Sequence, residues 1–251
     1  MPSLRRKVSP LPIRPLPAAL ITGASRGIGA AAARRFAAEG FDLLLVARSG
    51  ADLDELAGEL RRLGRRVETL ALDLAQAEAI PAAMAELLGR GLLPSVVINN
   101  AGAAWTGPLA AMPLERWQWM LQLNLTSVFQ VCLAVLPCLR QAGGGRIINV
   151  SSHAARNAFP DWGAYCVSKA ALASFSRCLE AEERAAGIAV STLTLGSVNT
   201  PLWDSETVHS SFDRRAMLSA EQVAESLLYL ARQPDSQTVE DLTLMPAAGA
   251  F

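Results

Sequence analysis

Thr22-Gly23-Ala24-Ser25-Arg26-Gly27-Ile28-Gly29 lies between an apolar run at 18–22 and a helical pattern over 28–39. Its glycines let the backbone turn tightly and bring peptide N–H groups against a ligand with no Cβ in the way. A helix that starts directly after such a loop offers its first N–H groups and the positive end of its dipole to a phosphate. The spacing is Gly-x-x-x-Gly-x-Gly rather than Gly-x-Gly-x-x-Gly, and glycine loops also serve as plain turns. Position decides the reading, because the loop occupies the first β–α junction of a chain that goes on alternating. Residues 41–46 form a continuous apolar run, as expected of a strand covered on both faces. Further strands are read at 67–72, 95–98, 146–150, 188–195 and 239–244, with helices between them at 52–63, 77–88, 113–140, 164–185 and 219–232. Asp52 with Glu55 and Ser219 with Gln222 have the spacing of helix-starting boxes, and Pro113 suits the first helical position. Such alternation implies one α/β domain over 18–251, a doubly wound Rossmann-type parallel sheet of about seven strands with helices on both faces.

At 251 residues, 51% of them apolar, the chain can bury a large core. Its formal charge balances to zero, so no net field points to nucleic acid. No run approaches the ~20 apolar residues of a membrane span. Residues 1–17 are basic and proline-rich and lack the apolar region of a secretory signal; they read as a disordered lead-in. Cys132, Cys138, Cys166 and Cys178 form no Cys-x-x-Cys pair, and His153 and His209 lie far apart. The expectation is a cytoplasmic protein with small core thiols and no metal site.

The nature of the dinucleotide follows from the end of the second strand. An NAD site places an acid about 20 residues beyond the glycines, on the ribose 2′-hydroxyl. Here that region reads Val46-Ala47-Arg48-Ser49, without a carboxylate, and Asp42 stands at the wrong end of the strand. Arg48 and Arg26 can instead neutralise a 2′-phosphate, which points to NADP(H). The plain alternative is a pair of solvated surface arginines.

Chemistry is offered by Tyr165-Cys166-Val167-Ser168-Lys169. A tyrosine and a lysine four apart share one face of a helix, and Lys169 is one of only two lysines in the chain. Unit charges about 5 Å apart attract by roughly 3 kcal/mol at an effective dielectric of about 20. That is on the order of two pKa units. The spacing therefore predicts a phenol pulled from its ordinary value toward physiological pH, able to exchange a proton with a substrate oxygen. Ser151-Ser152 closes the strand just upstream.

These motifs, in this order, resemble the short-chain dehydrogenase/reductase family over residues 18–245. The resemblance makes Gly23–Gly29 the cofactor loop. It gives Asp73, in Leu72-Asp73-Leu74, to the adenine, and Asn99-Asn100-Ala101-Gly102 to steadying the sheet beside the cofactor. Gly196, Val198 and Thr200 fall to the nicotinamide end. Asn124, Ser152, Tyr165 and Lys169 match a catalytic tetrad. In that scheme Ser152 polarises the carbonyl, Tyr165 passes the proton, and Lys169 lowers the tyrosine pKa and binds the ribose. Asn124 holds a relay water. One departure is Leu195-Gly196, where the family usually has Pro-Gly. Proline fixes φ and removes a donor, so the leucine is expected to loosen the turn beside the nicotinamide or to admit an extra hydrogen bond, altering cofactor affinity more than the chemistry.

The ligand side of such sheets lies beyond the carboxyl ends of the strands, where Trp105, His153, Phe159, Trp162 and Trp203 are expected to line an apolar substrate pocket. The implied function is carbonyl–alcohol interconversion on a small molecule. The C-terminal stretch Glu240–Pro246 lacks Gly-Gly, which leaves 3-oxoacyl thioester reduction as an alternative. A catalytically silent NADP-binding sensor or scaffold is the alternative of another class. The apolar helices at 114–140 and 164–185, with Leu121, Leu125, Val128 and Val131 beside Ala170, Leu172 and Phe175, imply a homodimer or homotetramer.

Overall fold

Seven strands form a parallel sheet in the order β3-β2-β1-β4-β5-β6-β7. They are Ala18–Thr22 (β1), Asp42–Ala47 (β2), Val67–Ala71 (β3), Val96–Asn99 (β4), Gly145–Ser152 (β5), Ile188–Leu195 (β6) and Asp241–Leu244 (β7). The computed structural model describes residues 17–210 and 212–249. Residues 1–16 of the expected tail lie outside these. Pro17 belongs to the sheet, since its carbonyl accepts from the Asp42 N–H at 3.0 Å.

The apolar strands alternate their side chains between two cores. Leu43, Leu45, Ile21 and Ile98 pack with Gly27–Ala38 (α1), Gly50–Arg61 (α2) and Ala220–Ala231 (α7). Leu20, Leu44, Val46 and Val97 pack with Ile80–Gly89 (α3), Ser127–Gln141 (α5) and Gly163–Glu183 (α6). Helices thus cover both faces, which is why β1 and β2 read as unbroken apolar runs. The strand order reverses direction between β1 and β4, and that switch point opens the cleft of a doubly wound sheet.

Three local expectations needed correction. The helix α2 starts at Gly50, not at Asp52, because Ser49 caps it by accepting from the Asp52 N–H at 3.3 Å. Pro113 precedes Leu114–Leu121 (α4) as its N-cap rather than occupying the first turn. Between α4 and α5 the chain makes a π turn over Gln122–Thr126, which side-chain periodicity does not announce. Together α4, the π turn and α5 make a 28-residue helix that is long and apolar enough to cross a membrane, and half of its most apolar stretch is buried inside the molecule. By contrast, Ser219 and Gln222 form the expected capping box at α7.

Leu195 belongs to the sheet. It is the last rung of β6, in register with Ser152, and is only 4% exposed. The Gly196 N–H continues the pairing to the Leu244 carbonyl at 2.9 Å.

Candidate active site

The carboxyl ends of the strands border a cleft of about 1020 Å³. Gly23, Ser25, Arg26, Gly27 and Ile28 line it after β1, Arg48 and Ser49 after β2, and Asp73 and Leu74 after β3. Asn100, Ala101 and Gly102 follow β4, Ser152 ends β5, and Gly196, Val198 and Thr200 follow β6. The glycines have separate jobs. Gly23 and Gly27 have φ of 66° and 55°, a region that L side chains rarely enter. A Cβ on Gly23 would stand 2.9 Å from Asn100 Nδ2. Gly29 does not line the cleft; a Cβ there would meet the Gly23 carbonyl oxygen at 2.1 Å. It is the close-packing glycine that lets α1 sit on its own loop.

The residues fit a dinucleotide phosphate. Where Ser49 and Ser219 cap α2 and α7, α1 opens on Arg26 with no side-chain cap and no acid in its first turn. Arg26 and Arg48 are exposed at the cleft, and no side-chain hydrogen bond or ion pair joins either to another described residue. Arg34, Arg35, Arg66 and Arg90 are all paired with glutamates. The carboxylate of Asp73 turns back to accept from the Ala75 N–H at 3.0 Å, which fixes the loop after β3.

A buried polar framework holds the floor. Thr22 Oγ1 accepts from the N–H groups of Asn100 and Ala101, both at 3.0 Å, and Asn100 Nδ2 donates to the Thr22 carbonyl at 3.0 Å. These bonds tie the end of β4 to the end of β1. Asn99 Nδ2 donates to Asn149 Oδ1 at 2.8 Å, and Asn149 Nδ2 donates to Ser176 Oγ at 2.8 Å. That chain runs from β4 through β5 into α6.

Ser152 lies close enough to the Tyr165 phenol to offset part of the effect of its burial, and Ser152 Oγ accepts from the Ala154 N–H at 3.1 Å. Lys169 is 5% exposed, donates to the Val150 carbonyl at 2.9 Å, and holds Nζ 5.8 Å from the Tyr165 ring centre. The expected lowering of the phenol pKa does not occur among the protein's own groups. Burial pushes the phenol up, and Ser152 only opposes this. The same burial pulls Lys169 down to about 8. Spacing alone overlooked the cost of placing the ammonium in the same dry site.

Asn124 sits behind the wall of the cleft. It is fully buried in the π turn and does not line the cleft. Its Oδ1 accepts from the Ala103 N–H at 2.9 Å, and its Nδ2 donates to the Ala103 carbonyl at 2.9 Å and to Ser168 Oγ at 3.0 Å. Ser168 in turn donates to the Tyr165 carbonyl at 2.8 Å, so Asn124 positions the helix that carries Tyr165. Ser168 was missed in the sequence, although a serine inside a catalytic helix is a candidate for such back-bonding.

At the other end of the cleft, His153, Phe159, Trp162 and Trp203 line the wall as expected, and Phe212 joins them. Trp105 does not, because its ring lies over Gly107, where a Cβ would come within 2.5 Å of it. Arg116, Trp119 and Leu123 also line the cleft from α4 and the π turn. They escaped notice because helical periodicity shows which residues are apolar but not which helix end overhangs a cleft.

Comparison with known proteins agrees with this geometry. The family model described as short chain dehydrogenase matches residues 17–210. Short-chain reductase protein NovJ of Streptomyces niveus is 34% identical over 231 residues, covering 87% of each chain. Sulfoacetaldehyde reductase 2 of Chromohalobacter salexigens is 33% identical over 240 residues, covering 92% of this chain and 95% of that one. Among solved structures, the alcohol dehydrogenase of Thermococcus sibiricus complexed with 5-hydroxy-NADP superposes with a TM-score of 0.86 at 29% identity, covering 94% and 99%.

Lys169 links stability to pH. Its amine ordinarily titrates at 10.5, but in the fold it titrates at about 8. Because the folded value is the lower one, the cost of burying the charge is fully present below about pH 8 and fades as pH rises to 10.5. The gap is roughly 3 kcal/mol at about 1.36 kcal/mol per pKa unit. Wild type should therefore gain stability relative to Lys169→Met across that window in denaturant unfolding. Parallel curves would show that the amine keeps its ordinary pKa.

Proposed function

Because this chain belongs to the short-chain dehydrogenase family, we propose that it is an NADP(H)-dependent oxidoreductase that interconverts a carbonyl and an alcohol. The observation that carries the proposal is Ser152 and Tyr165 beside buried Lys169, in the same cleft as the glycine loop and as Arg26 and Arg48, neither of which has a side-chain partner among the described residues. NADP(H), when bound, supplies or accepts the hydride. Tyr165 keeps its proton at neutral pH because burial raises its pKa, so it is ready to donate to a substrate oxygen as general acid. In the opposite direction it takes the proton back. Ser152 stands beside Tyr165 and is placed to hold the same oxygen. Lys169, anchored on the Val150 carbonyl, is the residue to hold ribose hydroxyls. Asn124 acts behind them as a positioning residue through Ser168.

Selection of NADP(H) falls to Arg48 and Arg26, which lie free at the cleft, with no carboxylate at Ala47 to accept from a 2′-hydroxyl. The NADP derivative in the related alcohol dehydrogenase supports this reading.

Assembly into a homodimer or homotetramer is proposed through α5 and α6, on a different set of residues from those named in the sequence. Val128, Val131 and Leu172 are buried against the sheet. The outward apolar face consists of Phe129, 45% exposed, Leu133, 52%, and Val167, 43%. Phe129 meets Phe175 edge-on at 6.2 Å and so joins the two helices into one surface.

Tyr165→Phe removes only the hydroxyl. NADPH-coupled carbonyl reduction is expected to fall about 10²–10⁴-fold while NADPH binding stays intact; a variant above about a hundredth of the wild-type rate would end the general-acid role. Wild type should also prefer NADPH over NADH in kcat/KM, and Ala47→Asp with Arg48→Ala should invert the order. Losing a charge-assisted bond of about 1.5–3 kcal/mol moves the preference by roughly one to two orders of magnitude. Equal use of NADH by wild type would make Arg48 a solvated surface residue. Light scattering at micromolar concentration should give the mass of a dimer or tetramer, and a monomer mass would remove the α5–α6 assembly.

A further inference from the structure

Beyond the reaction type, the walls of the cleft carry information about the substrate. Three rings continue outward from the reacting phenol. Trp162 lies 5.6 Å from Tyr165, Trp203 lies 5.7 Å from Trp162, and Phe212 lies 5.6 Å from Trp203, centre to centre. All four line the cleft. A second aromatic pair, His153 and Phe159, stands 6.2 Å apart on the same rim.

Several polar side chains of these segments are turned inward and paired. Trp203 Nε1 donates to the Val198 carbonyl at 2.8 Å, Ser205 Oγ to the Leu202 carbonyl at 2.8 Å, and Thr207 Oγ1 to the Ala104 carbonyl at 2.7 Å. His153 Nε2 faces Asn157 Nδ2 at 2.9 Å. A polyol would find few free partners along this wall, where Ser197 Oγ and the Glu206 carboxylate stay open and the groups just named are already paired.

Charge on the ring-bearing wall disfavours anions, while Arg116 lines the cleft from α4 with no side-chain partner among the described residues. The cations that line the cleft are Arg26, Arg48, Arg116 and Lys169, and none comes from the segments that bear the rings. The nearby arginines are engaged elsewhere. Arg156 pairs with Asp241 at 2.6 Å. Arg214 holds Asp204 and Asn199 and the Thr200 carbonyl at 2.9, 2.8 and 2.9 Å, and Arg215 pairs with Asp213 at 3.0 Å. From the ring-bearing segments the charged group that reaches the cleft is Glu206, a carboxylate with no ion pair. A carboxylate or sulfonate on the substrate would lose its water and meet like charge instead of a partner.

Resting on the oxidoreductase reading above, we infer that the substrate is an uncharged carbonyl compound with an aromatic or flat apolar ring next to the carbonyl, recognised by the Trp162–Trp203–Phe212 series. The carbonyl oxygen meets Ser152 and Tyr165, and the ring continues the row of aromatic faces and edges. Offset and edge-on contacts of this kind are favourable beyond simple burial.

The test compares kcat/KM with NADPH for 1-phenylpropane-1,2-dione, 2,3-butanedione, phenylglyoxylate, sulfoacetaldehyde and a ketose. The aryl dione should exceed each of the others by about tenfold or more, an advantage of the size aromatic contacts supply. Phenylglyoxylate keeps the ring and adds the charge, so its deficit isolates the missing cation. Trp203→Ala and Phe212→Ala should each cut the aryl-to-butanedione ratio about fivefold, with NADPH affinity followed separately by fluorescence titration. Turnover of phenylglyoxylate, sulfoacetaldehyde or the ketose at or above the aryl dione would overturn the class while leaving the oxidoreductase reading intact. Ratios unmoved in both variants would overturn the role of the rings. Silence on every compound would strike the oxidoreductase reading itself.

Discussion

An amine held out of water is the constraint around which this site is built. Lys169 remains buried because one helix is fastened to the end of one strand at three points. Tyr165 meets Ser152, Lys169 meets the carbonyl of Val150, and Ser176 meets Asn149. Along α6 these positions are separated by about one and about two helical turns, so they fall on one face. Along β5 the partners are close neighbours in the last half of the strand. The helix cannot slide or roll without breaking a bond made by a buried group, and each such loss is costly. Thr22 and the Asn99–Asn149 pair extend the same rigidity across β1 and β4, so the glycine loop and the reacting hydroxyls share one frame.

Much of this frame was legible in the residues. Unbroken apolar runs reveal a sheet covered on both faces, and β1 and β6 begin and end where the pattern changes. The box at Ser219 and Gln222 was legible because its signal is local and uncontested. At α2 two local signals competed, Ser49 before Asp52 and Asp52 before Glu55, and the chain uses the first. The π turn at Gln122–Thr126 gave no signal, because one extra residue per turn changes the hydrogen bonding without changing composition.

The site shows a similar boundary between what residue types reveal and what packing decides. Gly23, Gly27 and Gly29 all belong to one motif, yet only the first two face the cleft. Trp105 and Trp203 are equally aromatic, but one is spent on covering Gly107. The sign of the Tyr165 shift went astray for the same reason. Two charges on one helix face can be paired on paper, but the desolvation each suffers depends on what covers that face. Free arginines, in contrast, follow from counting partners, and only a three-dimensional inventory supplies the count.

The π turn has a consequence that reaches beyond the site. It contains Asn124, which supports the catalytic helix, and runs straight into α5, whose Phe129 and Leu133 face outward. A single residue advances an α-helix by roughly 100°. The five residues of the turn therefore set the angular phase between the inside and the outside of one continuous rod. Removing one of them would preserve a helix but could not keep both faces: either Asn124 leaves Ser168, or the outward aromatic turns into the sheet. Insertions and deletions here are thus far less tolerable than in any loop of the molecule, because the segment works as a gear tooth rather than a spacer.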